Sequence, residues 1–189
     1  MGSARPDVEY QRYAGQDILS ISHSLQVVYA EVYSEPPYEW GNDHMNLFEE
    51  RLEVQRQQDG FSLVSARIGG EPIGFTFGVT LRPESRWWSS LLSPTDEDVT
   101  RESTGRTFAV VELLVRSPWR RGGVGRRLHD MLLADRQEER ATLTVLPEAR
   151  PAQLAYGKWG WIKVAQKRNP LPGAPIFDVM IKPLARRKS

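Results

Sequence analysis

The chain has 189 residues, long enough for one well-buried domain, and its 40% hydrophobic and 26% charged residues are those of a globular protein. It has no cysteine, which removes a disulfide framework and a cysteine nucleophile, and its three histidines lack the spacing of a zinc site. A net charge of +1 gives no general reason to expect nucleic acid, and no apolar run is long enough for a signal region or a bilayer span, so a cytoplasmic protein away from membranes is expected.

In chain order, Val8 to Tyr13 reads as a first strand. Asp17 to Tyr33 reads as a helix, with Ile18, Ile21, Leu25, Val28, Tyr29 and Val32 on one stripe. The paired prolines of Ser34-Glu-Pro-Pro-Tyr-Glu-Trp-Gly41 stop it. A second helix is expected from about His44 to Gln57, then two strands, Phe61 to Ile68 and Pro72 to Leu81, turned at Gly69-Gly70. Arg82 to Arg106 reads as a long polar loop carrying the pair Trp87-Trp88, which is expected to be exposed there and so to need a partner. Thr107 to Val115 is a β-branched, apolar strand closed by Pro118. Val124, Leu128, Met131 and Leu132 recur at helical spacing, Ala141 to Leu146 reads as a strand, and a short helix follows Pro151. A Pro-Gly connector, Asn169 to Pro175, leads to a last strand, Ile176 to Ile181. This order fits one α/β domain over 1–189 with a mixed sheet, and residues 1–6 and 185–189, including Arg186-Arg187-Lys188, are expected to be frayed tails.

The richest stretch lies between the Thr107–Val115 strand and the helix after it, where Arg120-Arg121-Gly122-Gly123-Val124-Gly125-Arg126 forms a glycine-rich arginine loop. A strand, loop and helix in that order present backbone N–H groups at a helix N-terminus, where amides and dipole can hold phosphate. Gly123 and Gly125 would let a phosphate approach the backbone, and the arginines add charge suited to phosphate oxygens. The spacing fits neither Gly-x-x-x-x-Gly-Lys-Ser/Thr nor Gly-x-Gly-x-x-Gly, which argues against a Walker-type nucleotidase and a dinucleotide fold. A loop with a solvated basic patch is the alternative on the loop alone.

A second stretch, Pro151-Ala-Gln-Leu-Ala-Tyr-Gly-Lys-Trp-Gly-Trp161, carries the pattern Ala-x-x-x-Tyr-x-x-x-Gly-aromatic, with Tyr156, Gly160 and Trp161 in place. With the Arg-x-x-Gly-x-Gly loop upstream, the chain resembles the GNAT superfamily of N-acetyltransferases along almost its whole length. The resemblance implies a mixed, mostly antiparallel central sheet with splayed central strands and helices on both faces. It implies acetyl-CoA as the acyl donor, its pyrophosphate on Arg120, Arg121, Gly122, Gly123, Val124, Gly125 and Arg126. The pantetheine arm would lie along Leu113, Leu114 and Val115, and a backbone N–H of Leu114 or Val115 would meet the oxyanion. One departure stands at Ala149, where many members carry an asparagine that bonds the pantetheine; that contact must be absent or supplied elsewhere.

Acetyl transfer to an amine needs a neutral amine and a quenched thiolate. Freeing an amine of pKa near 10.4 costs about 4–5 kcal/mol at neutral pH, so a general base is expected. Glu112, on the strand beside the cofactor residues, is the candidate; a strand glutamate paired with a nearby arginine is the alternative. Unless a bulge intervenes, it shares a face with Leu114 while Leu113 and Val115 share the other. Tyr156 is the candidate general acid, as the resemblance implies, against a core tyrosine whose hydroxyl reaches water.

The resemblance places the acceptor pocket at the first two helices, the loop between them and the strands opposite the cofactor. Tyr33, Tyr38, Trp40, Trp87 and Trp88 are the candidate lining, with Pro37 beside them, while Phe75 and Phe77 read better as core. Glu35, Glu39, Asp43, Asp96, Glu97 and Asp98 could draw in a cationic amine or simply be solvated. The expected acceptor is a small-molecule amine, aminoglycoside-like or metabolic, which attacks the thioester of acetyl-CoA directly in a ternary complex, and the enzyme could be a homodimer. A protein lysine or N-terminal acetyltransferase with an open groove, and a non-catalytic acyl-CoA sensor, are the alternatives.

Overall fold

Gly69 and Gly70, at φ of 55° and 86°, turn the chain so that its two longest early apolar runs fold back on each other. They pair antiparallel from Ser62 opposite Gly78 to Ile68 opposite Glu71. The computed structural model describes residues 7–41, 47–169 and 173–185. In chain order the elements are β1 (Glu9–Tyr13), α1 (Ser22–Tyr33), α2 (Phe48–Gln55), β2 (Ser62–Ile68), β3 (Glu71–Thr80), α3 (Glu97–Thr100), β4 (Thr107–Val115), α4 (Val124–Leu133), β5 (Arg140–Val145), α5 (Arg150–Lys158), β6 (Ile162–Arg168) and β7 (Ile176–Pro183). Short stretches of 3-10 helix cover Gly15–Ser20 and Ser117–Trp119. The expected helix from Asp17 is thus a 3-10 turn and a true helix, parted at Ile21. The first residues of the expected second helix, His44 to Asn46, lie outside the described residues, as do residues 1–6 and 186–189 of the expected tails and residues 170–172 of the connector.

The chain gathers into two compact units: Met1–Val79 with Glu112–Ala134, and Thr80–Val111 with Asp135–Ser189. In the first, the strand order is β1-β2-β3-β4. Strand alternation sends Leu63, Ser65, Phe75 and Phe77 to one face and Val64, Ala66, Gly74 and Thr76 to the other. Phe48 of α2 meets Phe75 on the first face, at 5.9 Å between ring centroids, and stacks on Tyr29 of α1 at 4.4 Å. α4 covers the other face of β2, burying Val124, Leu128 and Leu132 at a four-residue repeat. Arg12, whose partner in β1–β2 pairing is Val64, donates to the Met131 carbonyl at the end of that helix. Helices therefore cover both faces, as expected.

Gly74 is where β3 lets β4 come close. A Cβ there would stand 3.2 Å from Val115 Cα and only 2.6 Å from the Leu114 carbonyl oxygen, the latter closer than real Cβ atoms come to backbone. Just beyond, Arg116 N–H donates to the Ile73 carbonyl at 2.9 Å.

In the second unit the order is β4-β5-β7-β6. β4 and β5 pair in parallel, Thr107–Ala109 opposite Arg140–Thr142; β5–β7 and β7–β6 are antiparallel. Among the described residues the parallel pairing ends at Ala109 and Thr142, while β5 continues along β7 to Val145, so the two central strands part there. The stretch from Arg82 to Arg106 is the long, largely exposed polar loop expected, yet it is tied into the fold. It contains α3, and Leu91 bridges Lys167 on the outer edge of β6, with Leu92 N–H on the Gln166 carbonyl at 2.9 Å. Trp88 is 8% exposed, its indole N–H donating to Glu102 Oε1 at 2.7 Å; Trp87 is half-buried and donates to Thr142 Oγ1 at 3.1 Å. The expected exposed tryptophan pair is corrected accordingly: both indoles have found partners in the fold. Glu102 also accepts from Thr107 Oγ1 at 2.8 Å and from Arg140 at 3.0 Å, so one buried carboxylate pins this segment to β4 and β5.

Gly74→Ala should force β4 away from β3 and lower stability by about 1–3 kcal/mol, read as a drop in the urea midpoint with little change in slope.

Candidate active site

Within the first unit, Glu112 interrupts the apolar face of β4 and draws polar groups from α1 and α2. Tyr29 and Tyr33, one turn apart, lie on the same side of α1. The Tyr33 hydroxyl donates to Glu112 Oε2 at 2.6 Å, and Oε1 has no donor among the described residues. Arg51 of α2 donates to the Tyr29 hydroxyl at 2.6 Å. Thr76 Oγ1 donates to the Glu112 carbonyl at 2.7 Å, holding the residue's backbone as Tyr33 holds its side chain.

Glu112 is half-buried, yet its carboxylate is crowded by protein. Loss of water from around it pushes its pKa from 4.5 up to about 7, against the hydrogen bond from Tyr33 and the charge of Arg51, which pull it down. Tyr33 is held well above the ordinary phenol range by burial and by the Glu112 charge, so it keeps its proton and remains a donor. Burial and the same charge raise Tyr38.

Tyr33, Tyr38 and Trp40, all expected to line the acceptor pocket, form one aromatic cluster. Tyr33 and Trp40 stack at 4.3 Å and 5°, and Tyr38 meets both edge-on at 4.8 and 5.5 Å. Trp40 N–H returns to the Tyr33 carbonyl at 2.9 Å, closing the proline-bearing turn over the end of α1.

The phosphate-loop candidates follow β4. Arg121 and Gly123 are at φ of 62° and 85°, and α4 starts at Val124, so left-handed residues alternate ahead of the first turn of a ten-residue helix. Such alternation curls backbone N–H groups into a concave anion cradle, and a helix's first turn leaves its N–H groups without intrahelical acceptors. A Cβ at Gly123 would meet nothing within 4 Å, so the space before the cradle is open. Val124 is buried beneath it, and Gly122 and the Arg121 side chain are exposed. Residues Arg121 to Arg126 thus fit a pyrophosphate.

Arg120 is committed differently. Its Nε donates to the Val115 carbonyl at 2.8 Å and its Nη1 to Glu35 at 2.6 Å. One turn earlier in both segments, Arg116 pairs with Glu31 at 2.7 Å. Arg126 pairs with Asp130 along the helix at 2.6 Å. Glu35 is therefore engaged by an arginine; Asp96 caps α3, and Glu97 and Asp98 face Arg101, which leaves those acidic residues structural work of their own. Asp43 lies outside the described residues.

In the second unit, Tyr156 is buried on α5, its ring edge-on to Trp159 at 5.6 Å and to Trp161 at 6.0 Å. Ala149 is buried at the N-cap of the same helix. Among the described residues no His/Asp/Glu group could hold a metal, and no helix is long and apolar enough to cross a membrane.

The model of the Acetyltransferase (GNAT) family matches residues 25–161, more than half of the chain. The chain belongs to that family. This GNAT protein is accordingly an acyltransferase. It has no significant match among curated protein sequences. Its fold is similar to that of aminoglycoside 6'-acetyltransferase type Ii, at TM-score 0.66 and 15% identity over 95% of this chain and 99% of that one. The ribosomal-protein-S18-alanine N-acetyltransferase from Escherichia coli gives 0.65 and 14% over 97% of each chain. The PaiA N-acetyltransferase from Thermoplasma acidophilum, solved with coenzyme A, gives 0.60 and 12% over 94% and 99%.

Arg51, Tyr29, Thr76 and Glu31 support the site without having been singled out for it in the sequence, while Glu35, read there as able to draw in a cationic amine, is engaged by Arg120. A signal was present: a lone carboxylate in an apolar strand needs donors, and two tyrosines one turn apart on a nearby apolar stripe could supply them.

The raised pKa has a consequence for stability. Between pH 4.5 and about 7 the unfolded chain has released a proton that folded Glu112 retains, so this residue's contribution to stability falls as pH rises through that window. Glu112→Gln should match the wild type near pH 4.5 and exceed it by on the order of 2–3 kcal/mol above pH 7.5, measured by urea unfolding across pH.

Proposed function

We propose that this GNAT acyltransferase moves the acetyl group of acetyl-CoA to a primary amine on a small molecule, in the cytoplasm, by direct attack in a ternary complex. The observation that carries the proposal is Glu112, a half-buried carboxylate with pKa about 7, in the same compact unit as the Arg121–Arg126 cradle.

Acetyl-CoA supplies an acyl thioester. Backbone amides from Gly122 to Arg126 are proposed to hold its pyrophosphate, with the Arg121 and Arg126 side chains adding charge and Leu113 to Val115 flanking the pantetheine. Arg120 acts from behind, its side chain bracing the end of β4 against Glu35.

Glu112 takes the amine's proton on Oε1. An ordinary carboxylate of pKa 4.5 would be a worse acceptor from an amine of pKa near 10.4 by about 3 kcal/mol. Crowding at Glu112 thus narrows the mismatch, and the residue stays largely ionised at slightly alkaline pH. Tyr156 is proposed as proton donor to the departing sulfur, the role its place in the family motif suggests. Tyr38 and Trp40 are proposed to wall the acceptor site, which favours an amine carried on a compact apolar or ring framework.

Two measurements test this reading. Acetyl-CoA should raise the thermal midpoint of the wild type in proportion to the logarithm of its concentration, and Gly123→Asp, which puts a carboxylate at the cradle, should abolish the rise. With an amine found by screening for thiol release, kcat/KM should climb with pH through about 7, and Glu112→Gln should lose 10²–10⁴-fold in kcat together with that climb. A Glu112→Gln enzyme with an unchanged pH profile would refute the base assignment.

A further inference from the structure

Tyr33 has a second place in the site besides the aromatic wall expected of it. It is 8% exposed, and its ring is fixed on three sides, by Trp40 stacked at 4.3 Å, Tyr29 at 4.5 Å and Tyr38 at 4.8 Å. A ring so enclosed has one direction left for its hydroxyl, and that direction ends on Glu112 Oε2.

We infer that Tyr33 is a positioning residue for Glu112: its hydroxyl pins Oε2, so that Oε1 is presented to the acceptor amine. The inference rests on reading Glu112 as the base. The groups facing Glu112 from each neighbouring element sort clearly. From α1 come Tyr29 and Tyr33, from the turn after it Tyr38, and from α2 Arg51. Of these only Tyr33 touches the carboxylate; Arg51 spends its hydrogen bond on Tyr29 and acts on Glu112 through its charge alone. Since Tyr33 keeps its proton, it orients the carboxylate without competing for the proton taken from the amine.

Tyr33→Phe keeps the ring and its stacking and removes one hydroxyl. Glu112 then loses a bond that favours its charged form while its crowding stays, so its pKa should rise. The ascending limb of kcat/KM should move about one pH unit to the alkaline side, costing about tenfold in rate at pH 6.5, with KM for acetyl-CoA within twofold of wild type. In a Glu112→Gln background the same change should have no further effect on kcat, whereas a general loosening of the fold would lower kcat in both backgrounds. Thermal midpoints of all four proteins report folding directly. A limb that stays in place in Tyr33→Phe while Glu112→Gln abolishes it would overturn the positioning role and spare the base; a limb that survives Glu112→Gln would overturn the base and this inference with it.

Discussion

Glu112 carries its charge on a strand whose neighbours Val111, Leu113 and Leu114 are apolar, and the first unit has to bring polar groups to it. β3 supplies Thr76, which reaches only the backbone carbonyl. The side chain is met from α1, where Tyr33 lies one turn beyond Tyr29, and Tyr29 is met in turn by Arg51 from α2. Three elements therefore send hydrogen bonds into this neighbourhood, Tyr33 to the carboxylate itself, Thr76 to the backbone carbonyl and Arg51 to Tyr29. Because a single phenol bond and a distant guanidinium do not restore what water would give, the carboxylate is left with a pKa near neutrality. That residual imbalance is a cost to folding above pH 7 and the source of its fitness as a proton acceptor.

The backbone around this carboxylate is set by close approach and handedness. Gly74 has no Cβ, so the Leu114 carbonyl can lie where a side chain would begin. After β4 the chain passes through two left-handed residues, Arg121 and Gly123, before α4 begins. Glu31 and Glu35, one turn apart on α1 and just past its end, pair with Arg116 and Arg120 on the segment between. Each pair is partly exposed and contributes at most about 1 kcal/mol, but together they fix that segment's path into the cradle.

In the second unit a different carboxylate organises the chain. Glu102 gathers Trp88, Thr107 and Arg140 on Oε1, and the Arg140 guanidinium lies 5.1 Å from the Trp88 ring centroid. A segment that composition marks as polar and mobile is thereby anchored at an indole and along the edge of β6.

All the strands but β6, the hairpin turn, the glycine-rich arginine loop and the helix after it were legible in the sequence, because periodicity, paired glycines and a proline stop act between near neighbours. So was Glu112, as a charge with no local reason to be there. The burial of Trp87-Trp88 was not legible, since their partners Thr142 and Glu102 lie 55 and 14 residues away and nothing local names them. The engagement of Arg120 by Glu35 was hidden for the same reason: the two are 85 residues apart. Composition showed that tyrosines were available near the end of α1, but only the packing of α1 over β4 decided that Tyr33 would give its hydroxyl to Glu112. The sequence by itself determined which chemical groups the protein owns and which local backbone shapes they favour. The tertiary structure decided how much water each group loses and which partner replaces it, and those two quantities set the proton affinity on which the proposed reaction turns.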